Sequence, residues 1–265
     1  MPHVKIGAIE IHYENHGQGE PLIMISGLAG DLRSWKSMVQ ALSRHHHLII
    51  FDNRGSGKSS VPTTPFTVAD MADDVAGLLD SLGIERAHVL GSSMGGNVAQ
   101  EFVMRYPHRT MSLVLLSSYA RRPDRSSVAL DVMIRMAREG ASVELVQTMM
   151  QCWCLPEPMF RSKVLDKAPV RTALTEEDRN FIEGFAMQKD ALDAFDNRHG
   201  LAKIKAPTLI MHGKADIMVD PQHALELNKG IKGARLILVD GVGHTFPPTK
   251  CADEILRFLE QHRMS

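Results

Sequence analysis

The sharpest chemical feature of this 265-residue chain is the run Gly91-Ser92-Ser93-Met94-Gly95. It stands where a β-type run, Ala87 to Leu90, gives way to a helical pattern, and a serine thrust out of such a strained turn crowds its neighbours. The positions two before and two after it must then lack a Cβ, which Gly91 and Gly95 satisfy for Ser93. For Ser92 those positions would be Leu90 and Met94, so Ser93 is the better nucleophile. Gly96 lets the helix approach the sheet. An ordinary glycine-rich loop before a helix looks similar, and the reading needs partners.

A serine hydroxyl attacks poorly at neutral pH unless a base removes its proton. Thirteen histidines are available, and position selects among them. His244, in Gly241-Val242-Gly243-His244, directly follows the last β-type run, whereas His45, His46 and His47 precede a strand at its other end. The base in turn needs a carboxylate to hold its tautomer. Asp216 follows the run ending at His212 through Gly213-Lys214-Ala215; Asp220 competes, but its place before Pro221 fits a helix cap. The developing oxyanion needs donors, which the backbone N–H groups of Met94 and of Leu28, in Ser26-Gly27-Leu28-Ala29-Gly30, could supply.

Positioning these groups takes strands that all end at one edge. Short β-type runs are expected at Val4 to Ile6, Ile9 to Glu14, Leu22 to Ser26, Leu48 to Asp52, Ala87 to Leu90, Ser112 to Leu116, Thr208 to His212 and Arg235 to Asp240. They alternate with helical patterns at Val68 to Leu82, Ser93 to Tyr106, Pro221 to Lys229 and Cys251 to Gln261. Such alternation predicts an α/β fold with a mostly parallel sheet, its first two strands antiparallel at an edge. The segment 121–200 breaks the rhythm and reads as an inserted helical cap, interrupting a core built from 1–120 and 201–265.

The bulk composition narrows the class. With 44% apolar residues the chain can bury a large core. A formal charge of -1 provides no field for polyanions, so neither nucleic acid nor a membrane is expected as partner, and a small molecule is. No apolar stretch is long enough to span a bilayer and the N-terminus lacks a signal-peptide layout, which predicts a cytoplasmic protein. Three cysteines make no disulfide framework, and Cys152 and Cys154 have no companions for a metal site. No metal or cofactor is expected, and the sequence does not address the oligomeric state. The segment Asn53-Arg54-Gly55-Ser56-Gly57-Lys58-Ser59 ends like a phosphate-binding loop, but Asp52 stands where that pattern requires glycine.

These motifs together resemble the α/β-hydrolase superfamily over essentially the whole chain: the Gly27 loop, the Phe51-Asp52-Asn53-Arg54-Gly55 turn with Gly57 and Ser59, the turn at Ser93, the acid at Asp216 and the Gly-His turn at His244. Serine, acid and histidine also occur in that superfamily's order. Within it the chain looks most like the 3-oxoadipate enol-lactonase and carboxylesterase group, through Ser93-Met94-Gly95-Gly96 with Val98-Ala99-Gln100, and through Trp153 with Pro156-Glu157. The resemblance implies an eight-stranded sheet flanked by helices and a helical lid. Ser26 stands where many members carry histidine. Serine instead of aspartate at position 93 argues against dehalogenase and epoxide-hydrolase chemistry.

Three functions follow as expectations. The first is hydrolysis of a small carboxylic ester or lactone through an acyl-enzyme at Ser93; the second, carbon–carbon cleavage of diketone-like ring-fission products; the third, a non-catalytic receptor retaining a triad. In the cap, Met133, Met136, Met149, Met150, Trp153 and Phe160 could line a pocket or form the cap's own core. Arg121, Arg122, Arg125, Arg135 and Arg138 could grip a substrate carboxylate or form a solvated face.

Overall fold

Leu22, Ile23, Met24 and Ile25 are all fully buried, yet alternate residues belong to two separate apolar clusters. That period of two is what a strand covered on both faces requires. The computed structural model describes residues 2–162 and 175–263, so the stretch 163–174 of the expected insertion lies outside the described residues.

Eight strands form one sheet: β1 (His3–Ile6), β2 (Ile9–His16), β3 (Pro21–Ile25), β4 (His47–Phe51), β5 (Ala87–Ser92), β6 (Thr110–Leu116), β7 (Thr208–Gly213) and β8 (Arg235–Val239), in the order β1-β2-β4-β3-β5-β6-β7-β8. β1 pairs with β2, and β2 with β4, antiparallel; every other pairing is parallel. The loops after β3, β5, β7 and β8 therefore leave from one edge, where ligands gather in open parallel sheets.

Helices α2 (Val68–Ser81), α3 (Met94–Arg105) and α7 (Gln222–Gly230) cover one face, burying Met71, Val75, Leu79, Val98, Phe102 and Leu227 with Ile23 and Ile25. Helices α1 (Lys36–Leu42) and α8 (Ala252–Glu260) cover the other, with Met38, Leu42, Ile255 and Phe258 against Leu22 and Met24. Thr67 starts α2 with a reciprocal capping box to Asp70. Two details depart from expectation. The seven-residue helix α1 was too short to show two full turns of periodicity. Helix α7 begins at Gln222, with Pro221 outside it; the Asp220 carboxylate still caps by accepting from Gln222 N–H at 2.9 Å.

Among the described residues, no strand forms between β6 and β7. Helices α4 (Asp124–Arg138), α5 (Val143–Cys154) and α6 (Glu176–Asp193) occupy the interval and share a cluster that buries Leu130, Met133, Ile134, Val146, Ile182 and Phe185. An isolated bridge between Arg121 and Asp196 brings the two ends of this segment together. No helix among the described residues is long and apolar enough to cross a membrane.

One buried histidine lends the core a pH dependence. His88, fully buried in β5, lies 2.8 Å from Ser112 Oγ through Nδ1, and its Nε2 is 3.4 Å from the Glu20 carboxylate. Burial pushes its pKa down to about 4, the Glu20 contact opposing this only in part. The folded chain thus keeps His88 neutral at a pH where the unfolded chain takes up a proton, so stability is full above about pH 6.5 and declines as pH falls toward 4. The expected loss from this group is on the order of 2 kcal/mol. His46, stacked edge-on at 5.7 Å and also lowered by burial, acts in the same direction, so the comparison must be with a variant. Urea unfolding of wild type and His88→Gln between about pH 7 and about pH 4.5 should give a shallower pH slope for the variant; equal slopes would refute the assignment.

Candidate active site

Ser93 sits between β5 and α3 with φ 51° and ψ -118°, a conformation that costs a non-glycine residue about 1–3 kcal/mol. Its surroundings admit no alternative. A Cβ on Gly91 would lie 2.2 Å from the Gly95 carbonyl oxygen, and one on Gly95 would lie 1.9 Å from that of Ile25. The turn is tied to its neighbour by Ser93 N–H donating to the Leu116 carbonyl at 2.9 Å.

From this turn a continuous hydrogen-bonded chain runs through the residues the sequence selected. Ser93 Oγ is 2.9 Å from His244 Nε2, and His244 Nδ1 is 2.8 Å from Asp216 Oδ2. An ionised carboxylate only accepts, so Nδ1 carries the imidazole proton and Nε2 is left to accept from the serine hydroxyl. Asp216 is buried and thoroughly held: Oδ1 accepts from Met218 N–H at 3.0 Å and Val219 N–H at 2.9 Å, and His212 Nε2 lies 3.1 Å from Oδ2. Burial alone would raise its pKa, but the charge and hydrogen bond of His244, with those from His212 and Val219, bring it down to about 2. It is therefore ionised at neutral pH. Asp220 makes no contact of this kind and is a helix cap.

The expected oxyanion donors lie beside the serine. Gly27 packs so closely that a Cβ there would be 3.3 Å from Ser93 Cβ, and Leu28 lines the same cavity as Ser93. Among the described residues neither Leu28 N–H nor Met94 N–H is spent on a backbone or side-chain hydrogen bond, and Met94 heads α3, where the helix dipole adds positive potential. The Leu28 loop is held from two sides that sequence reasoning did not identify. Asn53 Nδ2 donates to the Ser26 carbonyl at 3.1 Å, while Ala29, at φ 58°, donates its N–H to Gln188 Oε1 at 3.0 Å. Gln188 is on α6, and its Nε2 donates to the Arg54 carbonyl and to Ser56 Oγ, both at 2.8 Å. Beside it, Gly184 meets Gly55 backbone to backbone: a Cβ on Gly184 would lie 1.9 Å from the Gly55 carbonyl oxygen. The segment that mimics a phosphate loop is thus a structural hub. Asp52 there accepts from His12 Nδ1 at 2.7 Å, Leu32 N–H at 2.7 Å and Lys58 N–H at 2.9 Å.

The cavity over Ser93 has a volume of about 440 Å³. Trp35, Met38, Leu130, Met150, Leu155 and Phe246 supply apolar wall. Helix α5 reaches the His244 loop directly, its Cys154 carbonyl accepting from His244 N–H at 2.8 Å. Burial, with Asp216 nearby, pushes the Cys154 thiol up to about 12, so it stays protonated. No group of three or more His, Cys, Asp or Glu among the described residues is placed to hold a metal ion.

A family model described as alpha/beta hydrolase fold matches residues 20–141, and one described as TAP-like protein matches 189–264. The protein of Azorhizobium caulinodans named "Putative carbamate hydrolase RutD" is 30% identical over 252 residues, covering 93% of this chain and 92% of its own. The chain belongs to the α/β-hydrolase superfamily. Two solved members extend the likeness to the whole architecture of this α/β-hydrolase. The enol-lactonase of Burkholderia xenovorans is 28% identical with a TM-score of 0.84, covering 98% of this chain and 100% of that one. A thermophilic esterase of Thermogutta terrifontis, solved with malate bound, is 27% identical with a TM-score of 0.83, covering 99% and 100%.

Where the sequence offered a choice of residues between β6 and β7, the structure separates them. Of the apolar candidates, Met150 lines the cavity; Met133 is buried among the inserted helices, Met149 is exposed, Met136 and Phe160 lie outside the lining, and Trp153 packs against the clusters around it. Of the arginines, Arg121, Arg135 and Arg138 are exposed and paired with Asp124, Glu139 and Glu183, and Arg125 lies over the Trp153 ring. Arg122 alone is buried and lines the cavity.

Proposed function

We propose that this hydrolase cleaves a small carboxylic ester or lactone through an acyl-enzyme on Ser93. The observation that carries the reading is the unbroken chain from Ser93 Oγ through His244 to Asp216, with bonds of 2.9 and 2.8 Å. In the first half-reaction Ser93 Oγ attacks the carbonyl carbon while His244 Nε2 takes its proton, and Asp216 stabilises the imidazolium. The oxyanion forms between the N–H groups of Leu28 and Met94. His244 then returns the proton to the leaving alkoxide as the ester bond breaks. In the second half-reaction water enters, His244 accepts its proton, and collapse releases the acid and restores Ser93. The same steps run on a carbamate, and the RutD relative supports that as the second reading. Helices α4, α5 and α6 serve as a cap whose residues select the substrate.

The test is a panel of p-nitrophenyl esters, aliphatic lactones and matched carbamates, with the covalent intermediate trapped and weighed. We expect ester or lactone turnover with an acyl adduct on Ser93 and much slower carbamate release. Carbamates turned over faster than their ester counterparts would shift the assignment to the second reading. Turnover without any adduct would remove the acyl-enzyme.

A further inference from the structure

The Leu28 N–H belongs to a four-residue turn, closed by Gly30 N–H donating to the Gly27 carbonyl at 3.0 Å. The third residue of that turn is Ala29, at φ 58°. Turns with a positive φ at this place favour glycine or asparagine, because a Cβ there crowds the backbone. An alanine stays only where something holds it. Its N–H, in the peptide directly after the one that carries the Leu28 donor, donates to Gln188 Oε1 at 3.0 Å.

Gln188 is itself fixed. It is fully buried on α6, and its Nε2 spends both protons, on the Arg54 carbonyl and on Ser56 Oγ, each at 2.8 Å. That pattern sets the orientation of the amide: turned over, its NH₂ group would face Ala29 N–H and its oxygen would face the Arg54 carbonyl. The close approach of Gly184, one turn earlier on α6, to Gly55 lets the amide reach both loops. Its two ends land on the loops after β3 and β4. Gln188 is not among the described residues that line the cavity over Ser93, so its route to the reaction runs through the turn.

We propose that Gln188 is a positioning residue of the hydrolytic reaction. By holding Ala29 in its left-handed conformation it fixes the direction of the neighbouring Leu28 N–H, so that a residue remote from the substrate sets how well the oxyanion is received. The inference rests on the hydrolytic reading of Ser93 and adds a residue to it. A donor aimed at an oxyanion acts more on the transition state than on the bound ester, and the effect belongs in kcat.

The experiment uses Gln188→Met, which keeps the length of the side chain and removes its amide. Hydrolysis of p-nitrophenyl pentanoate is normalised to active sites titrated with a fluorophosphonate. Affinity for 1,1,1-trifluorohexan-2-one, whose adduct with Ser93 carries its oxyanion in the same place, is followed by fluorine NMR and needs no turnover. In the variant kcat should fall about 10- to 100-fold with KM within about threefold, and the trifluoroketone should weaken by the same factor as kcat. The acid limb of the kcat/KM profile should not move, because Ser93, His244 and Asp216 are untouched. Adding Ala29→Gly should recover at least about fivefold, since glycine takes a positive φ without help. A kcat within about threefold of wild type, a loss in KM alone, or a double variant as slow as Gln188→Met would place the effect in the packing of α6 and overturn the proposal. Wild type, which needs no variant to fold, gives a further check: its Ala29 amide should exchange hydrogen at least about 100-fold more slowly than in an unfolded chain, and an unprotected amide would overturn the proposal as well. Hydrolysis that ignores the Gln188 change defeats this inference and leaves the function standing. A Gln188-dependent trifluoroketone adduct without hydrolysis of any ester or lactone defeats the function and leaves the positioning role. Neither hydrolysis nor adduct defeats both.

Discussion

Ser93→Gly is expected to give a protein that is more stable than wild type and inactive. The serine occupies φ 51°, a region that glycine enters freely and an L side chain does not. Relieving that strain should add about 1–2 kcal/mol, less what is lost with the Ser93–His244 hydrogen bond. For a domain of this size the midpoint of thermal unfolding should rise by about 2–6 °C. Activity should fall by about 10⁴- to 10⁶-fold, because no nucleophile remains. Ser93→Ala should lose as much activity while keeping the strained turn, so the two variants separate chemistry from conformation. Calorimetry together with ester kinetics checks both halves. A glycine variant less stable than the alanine one would show that the turn is not strained as described.

The second large effect is expected at Asp216→Asn. The carbonyl oxygen of the asparagine can still accept from Met218 and Val219, but its NH₂ group then faces the N–H groups of His212 and His244. His244 escapes that clash by moving its proton to Nε2, where it points at Ser93 and can no longer receive the serine proton. The expected fall in kcat is about 10⁴-fold, with KM within a few-fold of wild type. A loss below about tenfold would mean that Asp216 does not set the tautomer. The same substitution has a consequence for acid stability. Because Asp216 is held at about 2 when folded and titrates near 3.9 when unfolded, its contribution of roughly 2 kcal/mol is present above about pH 4. It disappears as the pH falls through 2, and the asparagine variant should lack that acid-dependent component in urea titrations.

Much of the candidate site's geometry was legible in the sequence because strained backbone leaves few choices of residue. Only glycines fit beside Ser93, and Asp216 and His244 follow strands whose burial makes them apolar runs. Helix α1 was not legible, since seven residues do not repeat a helical face often enough to be distinguished from a loop, and with it Trp35 and Met38 were missed as cavity wall. The inserted helices were legible as helices and not as a site. Methionine suits a helix-to-helix contact as well as a ligand wall, and Met133 and Met150 look alike until the packing is known. The arginines show the same limit more sharply. Arg121 and Arg122 are adjacent, and only the register with which the chain leaves β6 sends one to solvent and the other to the cavity. Gln188 had no local signal at all, because its partners are 132 to 159 positions away in the chain.

The contact of Gly184 with Gly55 governs how this protein can be recombined with its relatives. Two backbones touching without side chains form a matched pair: a residue with a Cβ at one position is tolerated only if the facing surface recedes. A chimera that receives its inserted helices from another hydrolase will therefore inherit a steric mismatch unless the donor also brings a glycine to face Gly55 and an amide in the place of Gln188. Transplants cut inside α6, leaving both residues with the parent, preserve the register of the Leu28 loop while exchanging the walls around the substrate. The border of the exchangeable unit thus falls within a helix, several turns away from where the strands and loops would suggest cutting.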